Sequence, residues 1–446
     1  MKISKRLLLL GLIAAALVMA SLGAHPALAA GAAAGFDPKA VSDMTGFDPT
    51  KYENPSGEVV KIGVLAPFSG DAASVGQLYW ATSAWVAADI NKRGGIMVDG
   101  KKKKIALIKG DTMGKPATTK QAVEKLCLQD KVDVLWGTSG SHLTAIIQAE
   151  AAKYNKLHLN SHSLSDNLME GKSFTPYTFQ YIWPTYSVGN TLAKYYASRK
   201  ERKFYILDQD YVFGHELAES FKAGLKQYVP DAQIVGEDYH PLFNKDFAPY
   251  LTKVKASGAE VIFTGDWMPD SSNLIKQSRQ MGINTPIAGI FLDDINALIA
   301  VGPEGSKGMV FASQMLINYQ DGIQAKWHEA WKTWPAPYNT ALYEWLGSTT
   351  GSYVESLYWL LDVMQRAGAT APDKVIKAWE GDEWLGLIGE KLTMRACDHR
   401  VVRDTYVTEF VSPNKWYQDC AYLDQLVTIP AEFVTLAPPK DSERCK

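Results

Sequence analysis

The sequence predicts an α/β protein made of two units, each with a parallel β-sheet covered by helices. Short apolar runs of strand length alternate with longer segments whose apolar residues recur at helical spacing. This alternation occurs twice, once from residue 59 and again from about residue 183. Strands that are joined through such helices form right-handed βαβ crossovers, which place the strands parallel in one sheet.

The first unit opens with the apolar strand Val59–Phe68 and a helix over 75–92 that ends at Gly94 and Gly95. The pattern then repeats. The further elements expected are the strands Lys104–Lys109, Val132–Trp136 and Leu157–Asn160, and the helices Thr118–Gln129 and His142–Tyr154.

The second unit opens with a predicted helix at Tyr186–Arg199. The expected elements that follow are the strands Phe204–Leu207, Gln233–Tyr239, Glu260–Thr264 and Pro286–Phe291, and the helices Phe213–Tyr228, 246–256 and 271–281. The tail adds an aromatic-rich helical region over 340–367, a helix over 373–380 and strands within Leu392–Val411. Because the chain completes one unit, builds the second and then returns, several crossings should join two lobes. Such lobes leave a cleft that closes by a hinge motion.

The first 29 residues have the three parts of a secretory signal peptide. Three basic residues within MKISKR precede an apolar run from Leu7 to about Leu22, and Ala27-Leu28-Ala29 supplies small residues for cleavage. A membrane anchor is the alternative, since about 17–25 apolar residues can span a bilayer. We expect a cleaved signal and a periplasmic protein. Residues 30–58, rich in Ala, Gly and Asp, form a tether or an extra N-terminal arm.

The composition excludes several classes of protein. Loss of the signal takes the formal net charge from −2 to −5, which argues against a nucleic-acid binder because that would need a basic face. A metal site would need C-x₂-C or a suitable histidine pair. His158 and His162 have the spacing but fall on a strand and its loop, so we expect no metal and no cofactor.

The four cysteines would lie in an oxidising compartment, where three connectivities are possible if all of them pair. We expect a disulfide between Cys397 and Cys420, which would cross-link a C-terminal segment. Cys127 lies on an apolar helical stripe and is expected to be a buried thiol.

Candidate site residues lie beyond the carboxyl ends of the strands, where parallel α/β sheets bind their ligands. In the first unit these ends carry hydroxyls, glycines and helix N-termini, which suit a carboxylate. In the second unit they carry carboxylates and aromatic rings, which suit an ammonium or an apolar body. A zwitterion would use both sets, although each Ser or Asp could equally cap a helix. The candidates are Ser139, Gly140, Ser141, His162 and Ser163 in the first unit, and Tyr211, Asp266, Trp267, Phe291 and Asp293 in the second.

Longer motifs carry a family resemblance. Four segments of the first unit resemble the periplasmic Leu/Ile/Val-type binding proteins of ABC transporters, the type I family. These segments are VKIGVLAPFSGDAASVGQ, AADINKRGGI, and TTKQAVEKL followed by VDVLWGTSGS. LDQDYVFGHELAESFKAGL and DFAPYLTKVKASGAEVIFTGDW look like the second lobe of that family, so the similarity spans roughly 59–412.

The resemblance implies two Rossmann-like lobes with parallel sheets, joined by three crossovers near Trp183, Ala312 and Thr393. Lobe 1 would contain 59–183 and 313–392, and lobe 2 would contain 184–312 and 393–446. The ligand would lie in the cleft between the lobes.

The resemblance also implies a site and a function. The charged groups of an amino acid would be held in lobe 1 by Ser139–Ser141, His162 and Ser163. Lobe 2 would contribute the opposite contacts, which are Phe213 with nearby Tyr211, then Trp267, then Phe291 with nearby Asp293. The chain departs from the family at Val75, where a Tyr is frequent, and at His162, where a small residue is frequent. The acidic residue that holds the ammonium is displaced to Asp293 or is Asp266. The ligand could therefore also be a bulkier carboxylate, an aromatic one or one without an amino group.

We expect a monomeric solute receptor that delivers its ligand to an ABC import permease. A sensor of the same fold for a signalling partner is the alternative. An exported enzyme is disfavoured, because the sequence has no G-x-S-x-G elbow, no phosphate-binding loop and no visible nucleophile–base pair.

Overall fold

The computed structural model describes Gly35, Asp37 and residues 40–315, 322–335, 348–413, 418–421, 425–440 and 442–446. The predicted signal peptide over 1–29 lies outside the described residues, as does the start of the aromatic-rich region over 340–347.

The first half of the chain forms a six-stranded sheet. Its elements are β1 (Val59–Ala66), α1 (Ala73–Lys92), β2 (Ile96–Val98), β3 (Lys101–Asp111), α2 (Pro116–Leu128), β4 (Val134–Gly137), α3 (Ser141–Lys153), β5 (Leu157–Asn160) and β6 (Thr178–Gln180). The strand order is β2-β3-β1-β4-β5-β6, and every pairing is parallel except that of β2 with β3. This doubly wound order brings the carboxyl ends of β1, β4 and β5 to one edge, where ligands of such sheets bind.

The next segment forms most of a seven-stranded sheet. Its elements are α4 (Thr185–Tyr196), β7 (Lys203–Gln209), α5 (Val212–Tyr228), β8 (Gln233–His240), α6 (Ala248–Ser257), β9 (Val261–Thr264), α7 (Asp270–Gln280), β10 (Ile287–Gly289), α8 (Ile295–Ser306) and β11 (Val310–Ser313). The parallel strands follow the order β11-β10-β9-β7-β8. The predicted second α/β unit is confirmed.

The last third of the chain contributes to both lobes. It contains α9 (Gly322–Trp331), α10 (Ser348–Ala367), α11 (Pro372–Trp379), β12 (Glu383–Leu385), β13 (Lys391–Met394), β14 (Val401–Val402), β15 (Thr405–Glu409), β16 (Gln425–Ile429) and α12 (Ala431–Val434). The strands β12, β13 and β14 form a small antiparallel sheet, whereas β15 and β16 extend the second sheet by antiparallel pairing with β11.

Three passages of the chain join the lobes. The chain passes from β6 to α4 at residues 181–184, and from β11 toward α9 after Ser313. The third passage lies at Arg403 and Asp404 and not near Thr393. The physical reason is packing, since Leu392, Met394 and Val401 are buried in the lobe 1 core, whereas β15 pairs with β11 in the sheet of lobe 2.

Residues 40–58 form a packed arm on lobe 1. Val41 and Met44 are buried in the lobe 1 core. The N–H of Ser42 donates to Asp89 Oδ1 at 2.6 Å, and the ring of Phe47 meets that of Trp85 edge-on, with 5.5 Å between centroids.

The predicted disulfide between Cys397 and Cys420 is wrong. Cys397 is bonded to Cys445, so the chain terminus is fastened to the loop after β13. Cys420 is buried and packs in an apolar cluster of lobe 2 with Phe311 and Phe410. Cys127 is buried and free, as expected, and burial raises the pKa of its thiol to about 11.

Within the described residues, every helix is too short or too polar to span a membrane. No group of three or more His, Cys, Asp or Glu side chains among these residues could hold a metal ion.

Candidate ligand-binding site

A small cavity, here called the cleft cavity, lies between the two lobes at the carboxyl ends of their strands. The empty space among its lining atoms, part of which opens to solvent, is about 230 Å³. Lobe 1 contributes residues that follow β4 and β5, and lobe 2 contributes residues that follow β7, β9 and β10. The described residues that line it are Ser139, Gly140, Ser141, His162, Ser163, Leu164, Tyr211, Phe213, Trp267 and Phe291. Nine of the eleven predicted site residues are among them, and Asp266 and Asp293 are not.

The turn between β4 and α3 forms the polar end of the cleft cavity. Gly140 has φ of 95°, a left-handed conformation that favours glycine, and it immediately precedes α3. The first N–H groups of a helix have no acceptor within the helix, and the helix dipole favours an anion there. The hydroxyl oxygen of Ser141 accepts a hydrogen bond from the N–H of Ser165 at 3.3 Å, which leaves its own proton available to a ligand.

Ser163 differs from Ser141 because its hydroxyl already donates one hydrogen bond and accepts another within the protein. Its Oγ donates to the carbonyl oxygen of Thr138 at 2.7 Å and accepts from Thr144 Oγ1 at 2.7 Å. Its N–H donates to Asn160 Oδ1 at 2.8 Å. Ser163 therefore ties the loop after β5 to the turn after β4 and positions the polar end of the cavity.

His162 is the histidine that lines the cavity within the described residues. It is buried, and its ring lies 5.0 Å from that of Phe291 in lobe 2 and 4.9 Å from that of Tyr353 in α10, measured between centroids. Burial lowers the pKa of His162 to about 3, and its Nδ1 has no hydrogen-bond partner. The ring is therefore neutral near pH 7 and bridges the two lobes as an aromatic surface.

Lobe 2 contributes an aromatic wall. The indole N–H of Trp267 donates to the hydroxyl of Tyr211 at 3.0 Å. The ring of Phe213 lies between those of Tyr211 and Phe291, at centroid distances of 5.7 and 6.2 Å. Four rings thus form a continuous apolar surface opposite the serine turn.

Asp266 lies behind this wall and not in the cavity. Its two carboxylate oxygens are 3.0 and 2.9 Å from His240 Nε2, and His240 Nδ1 donates to the carbonyl oxygen of Pro241. Burial opposes the protonated form of His240, but the hydrogen bonds and charge of Asp266 outweigh it and raise the pKa of His240 to about 9. Burial also raises the pKa of Asp266, and the two buried groups form a hydrogen-bonded pair that engages both carboxylate oxygens.

Asp293 is also held away from the cavity. It is buried, and its Oδ2 accepts a hydrogen bond from Thr349 Oγ1 in α10 at 3.2 Å. Burial raises the pKa of Asp293 to about 7. Its carboxyl group thus joins the loop after β10 to lobe 1.

The site residues predicted from the sequence did not include Leu164, Tyr353 or Tyr79. Leu164 lines the cavity, and Tyr353 forms a 3.2 Å hydrogen bond with Ser139 through the two hydroxyls. Tyr353 also stacks on Tyr79 of α1 at 4.1 Å. The aromatic-rich region over 340–367 was the available signal, but it could not show that α10 reaches the serine turn.

The chain is similar in sequence to known proteins. The family model described as "Periplasmic binding protein" matches residues 59–415. An "Amino acid binding protein" of Pseudomonas aeruginosa is 26% identical over 372 residues, which are 80% of this chain and 92% of that protein. The "Leu/Ile/Val-binding protein homolog 4" of Brucella abortus is 27% identical over 251 residues, which are 53% of this chain and 58% of that protein.

Solved structures share the fold. A solute binding protein of an ABC transporter from Rhodopseudomonas palustris, in complex with 3,4-dihydroxy benzoic acid, superposes with a TM-score of 0.70 at 20% identity over 84% of this chain and 98% of that one. The substrate binding protein LivJ of Streptococcus pneumoniae, in complex with isoleucine, superposes with a TM-score of 0.66 at 22% identity. The match covers 83% of this chain and 99% of that one.

Proposed function

The chain belongs to the periplasmic binding protein family, and from this membership we propose that it is an extracytoplasmic receptor for a small amino acid or related carboxylate. The receptor would capture its ligand in the cleft cavity and deliver it to an ABC import permease. Export through the segment 1–29 would place it in the periplasm, where it would act as a monomer.

The observation that carries this proposal is the shared construction of the cleft cavity. Ser139–Ser141 come from lobe 1, whereas Trp267 and Phe291 come from lobe 2. A ligand between these two sets would contact both lobes, so its binding energy would favour the closed arrangement over the open one. A permease can recognise such a ligand-dependent surface.

The relatives support a carboxylate as the bound group. The structural relative from Rhodopseudomonas palustris holds 3,4-dihydroxy benzoic acid and the one from Streptococcus pneumoniae holds isoleucine. These two ligands share a carboxylate and differ in the rest of the molecule. The turn at Ser139–Ser141, with its hydroxyls and helix N-terminus, is the part of this chain suited to that shared group.

Calorimetry and scattering test the proposal together. A panel of amino acids and small carboxylates should contain at least one ligand with a dissociation constant near about 1 μM, which corresponds to about −8 kcal/mol. That ligand should also reduce the radius of gyration in solution scattering. Binding without compaction would contradict capture between the lobes.

Uptake distinguishes import from sensing. Deletion of the gene should abolish uptake of the radiolabelled ligand, and expression of the chain should restore it. If uptake persists while a ligand-dependent signalling response is lost, the chain serves a signalling partner.

We propose no reaction for the bound ligand. Among the described residues, neither Ser139 nor Ser141 has a hydroxyl bonded to a histidine or a carboxylate, which is the arrangement that activates a serine. An unchanged ligand, recovered after hours with the protein and identified by mass spectrometry, is the expected result.

A further inference from the structure

The chemistry of the cleft cavity restricts the class of ligand that can bind there. This inference rests on the proposed function. The cavity has one polar end and one aromatic side. The polar end is the serine turn before α3, where Ser141 Oγ keeps a proton to donate. The opposite side consists of rings, so a carboxylate that contacts the turn would place the body of its molecule against them.

The described residues that line the cavity supply no counter-charge for a cation. None of the ten is Asp, Glu, Lys or Arg. His162 is the one histidine among them, and its depressed pKa keeps it neutral. An ammonium that enters such a site loses its water and gains no carboxylate in return, which is unfavourable.

The two nearby carboxylates are already engaged elsewhere. Asp266 binds His240 through both of its oxygens at 3.0 and 2.9 Å. Asp293 accepts from Thr349 and does not reach the cavity. An amino acid bound through its carboxylate at Ser141 would therefore hold its ammonium among serine hydroxyls and rings.

The walls also favour a flat molecule. His162 and Phe291 pack against each other from opposite lobes, with 5.0 Å between centroids and their planes tilted by 49°, and Phe213 continues the surface toward Tyr211. Aromatic rings interact best with other rings through stacked or edge-on contacts at such separations.

We propose that the ligand is a small aromatic monocarboxylate that carries no ammonium group. Its carboxylate would contact the turn at Ser139–Ser141, and its ring would lie among His162, Phe213, Trp267 and Phe291.

Matched ligand pairs test the proposal by calorimetry, after removal of any co-purified ligand by unfolding and refolding. The first pair is phenylalanine and 3-phenylpropanoate, which differ only in the ammonium. The second pair is benzoate and cyclohexanecarboxylate, which share a carboxylate and ring size but differ in flatness. We expect 3-phenylpropanoate to bind at least about tenfold more tightly than phenylalanine, and benzoate at least about tenfold more tightly than cyclohexanecarboxylate.

The outcomes separate the two proposals. If phenylalanine or another amino acid binds as tightly as its deaminated analogue, the ligand class is overturned and the receptor function stands. If cyclohexanecarboxylate equals benzoate, the aromatic requirement is overturned. If no carboxylate or amino acid binds, both proposals fail.

Asp293→Asn examines the remaining source of a counter-charge. The ratio between the affinities for 3-phenylpropanoate and phenylalanine should match that of the parent protein. A variant that selectively loses phenylalanine would show that Asp293 pairs with an ammonium, which overturns the proposed class. Circular dichroism and the unfolding midpoint show whether the variant is folded.

Discussion

The indole N–H of Trp267 donates a hydrogen bond to the hydroxyl of Tyr211 over 3.0 Å, and the two residues follow different strands of the same sheet. The bond fixes both rings on the wall of the cleft cavity. It also gives the tyrosine hydroxyl a partner that water would otherwise have to provide.

Trp267→Phe should weaken binding, because it removes this donor and reduces the contact area with the ligand. We expect a loss of about 1 kcal/mol or more, measured by calorimetry. The double variant Trp267→Phe with Tyr211→Phe is the matched comparison, since it leaves no unpaired hydroxyl. Full additivity of the two single changes would contradict a coupled pair.

Ser141→Ala should weaken ligand binding by about 1–3 kcal/mol, because a buried charged group would lose its donor. Ser163→Ala is the matched control, since the Ser163 hydroxyl bonds Thr138 and Thr144 within lobe 1. That control should lower the free energy of unfolding by about 1 kcal/mol and change affinity less. Equal effects of both changes on affinity would place the carboxylate elsewhere.

His162 should make the stability of the protein sensitive to acid. Its folded-state pKa of about 3 lies below the ordinary value of 6.5, so the unfolded chain binds more protons between these two values. Stability is therefore lost as pH falls below 6.5. Between pH 7 and pH 5, His162→Phe should lose about 2 kcal/mol less than the parent protein in urea unfolding. Equal losses would show that the ring is not buried in its neutral form.

The disulfide should contribute strongly to stability. It joins residues 48 apart, and a loop of this size corresponds to about 4 kcal/mol of unfolded-state entropy. Cys445→Ser should lower the free energy of unfolding by up to that amount and abolish its sensitivity to reductant. Cys420→Ala should retain that sensitivity. A Cys397–Cys420 peptide in non-reducing peptide mapping would contradict the pairing.

Arg403 should stabilise the region where the chain crosses between the lobes. Its guanidinium binds Tyr181 Oη at 2.7 Å, Glu355 Oε1 at 3.1 Å and Glu390. Arg403→Met should cost about 3–5 kcal/mol, because it leaves buried carboxylates without their partner. Lys101→Met removes an exposed ion pair with Glu58 and should leave the unfolding midpoint unchanged. Similar midpoints for both variants would contradict the role of Arg403.

The sequence could predict the alternation of strands and helices and the residues at the strand ends, because both depend on local pattern. Ser141, Trp267 and Phe291, which line the cleft cavity, were predicted in this way. The partners of Asp266 and Asp293 could not be found, since His240 and Thr349 lie on other elements and meet these carboxylates only through tertiary packing. The same reason explains the wrong disulfide, because only the folded chain brings Cys445 to the loop after β13.

A crystal structure of the protein with a bound small carboxylate is the most direct measurement. We expect a carboxylate oxygen within hydrogen-bond distance of Ser141 Oγ and the rest of the ligand against Trp267 and Phe291, with both lobes in contact. A ligand bound to one lobe alone, or one whose carboxylate lies away from the turn before α3, would contradict the proposed capture between the lobes.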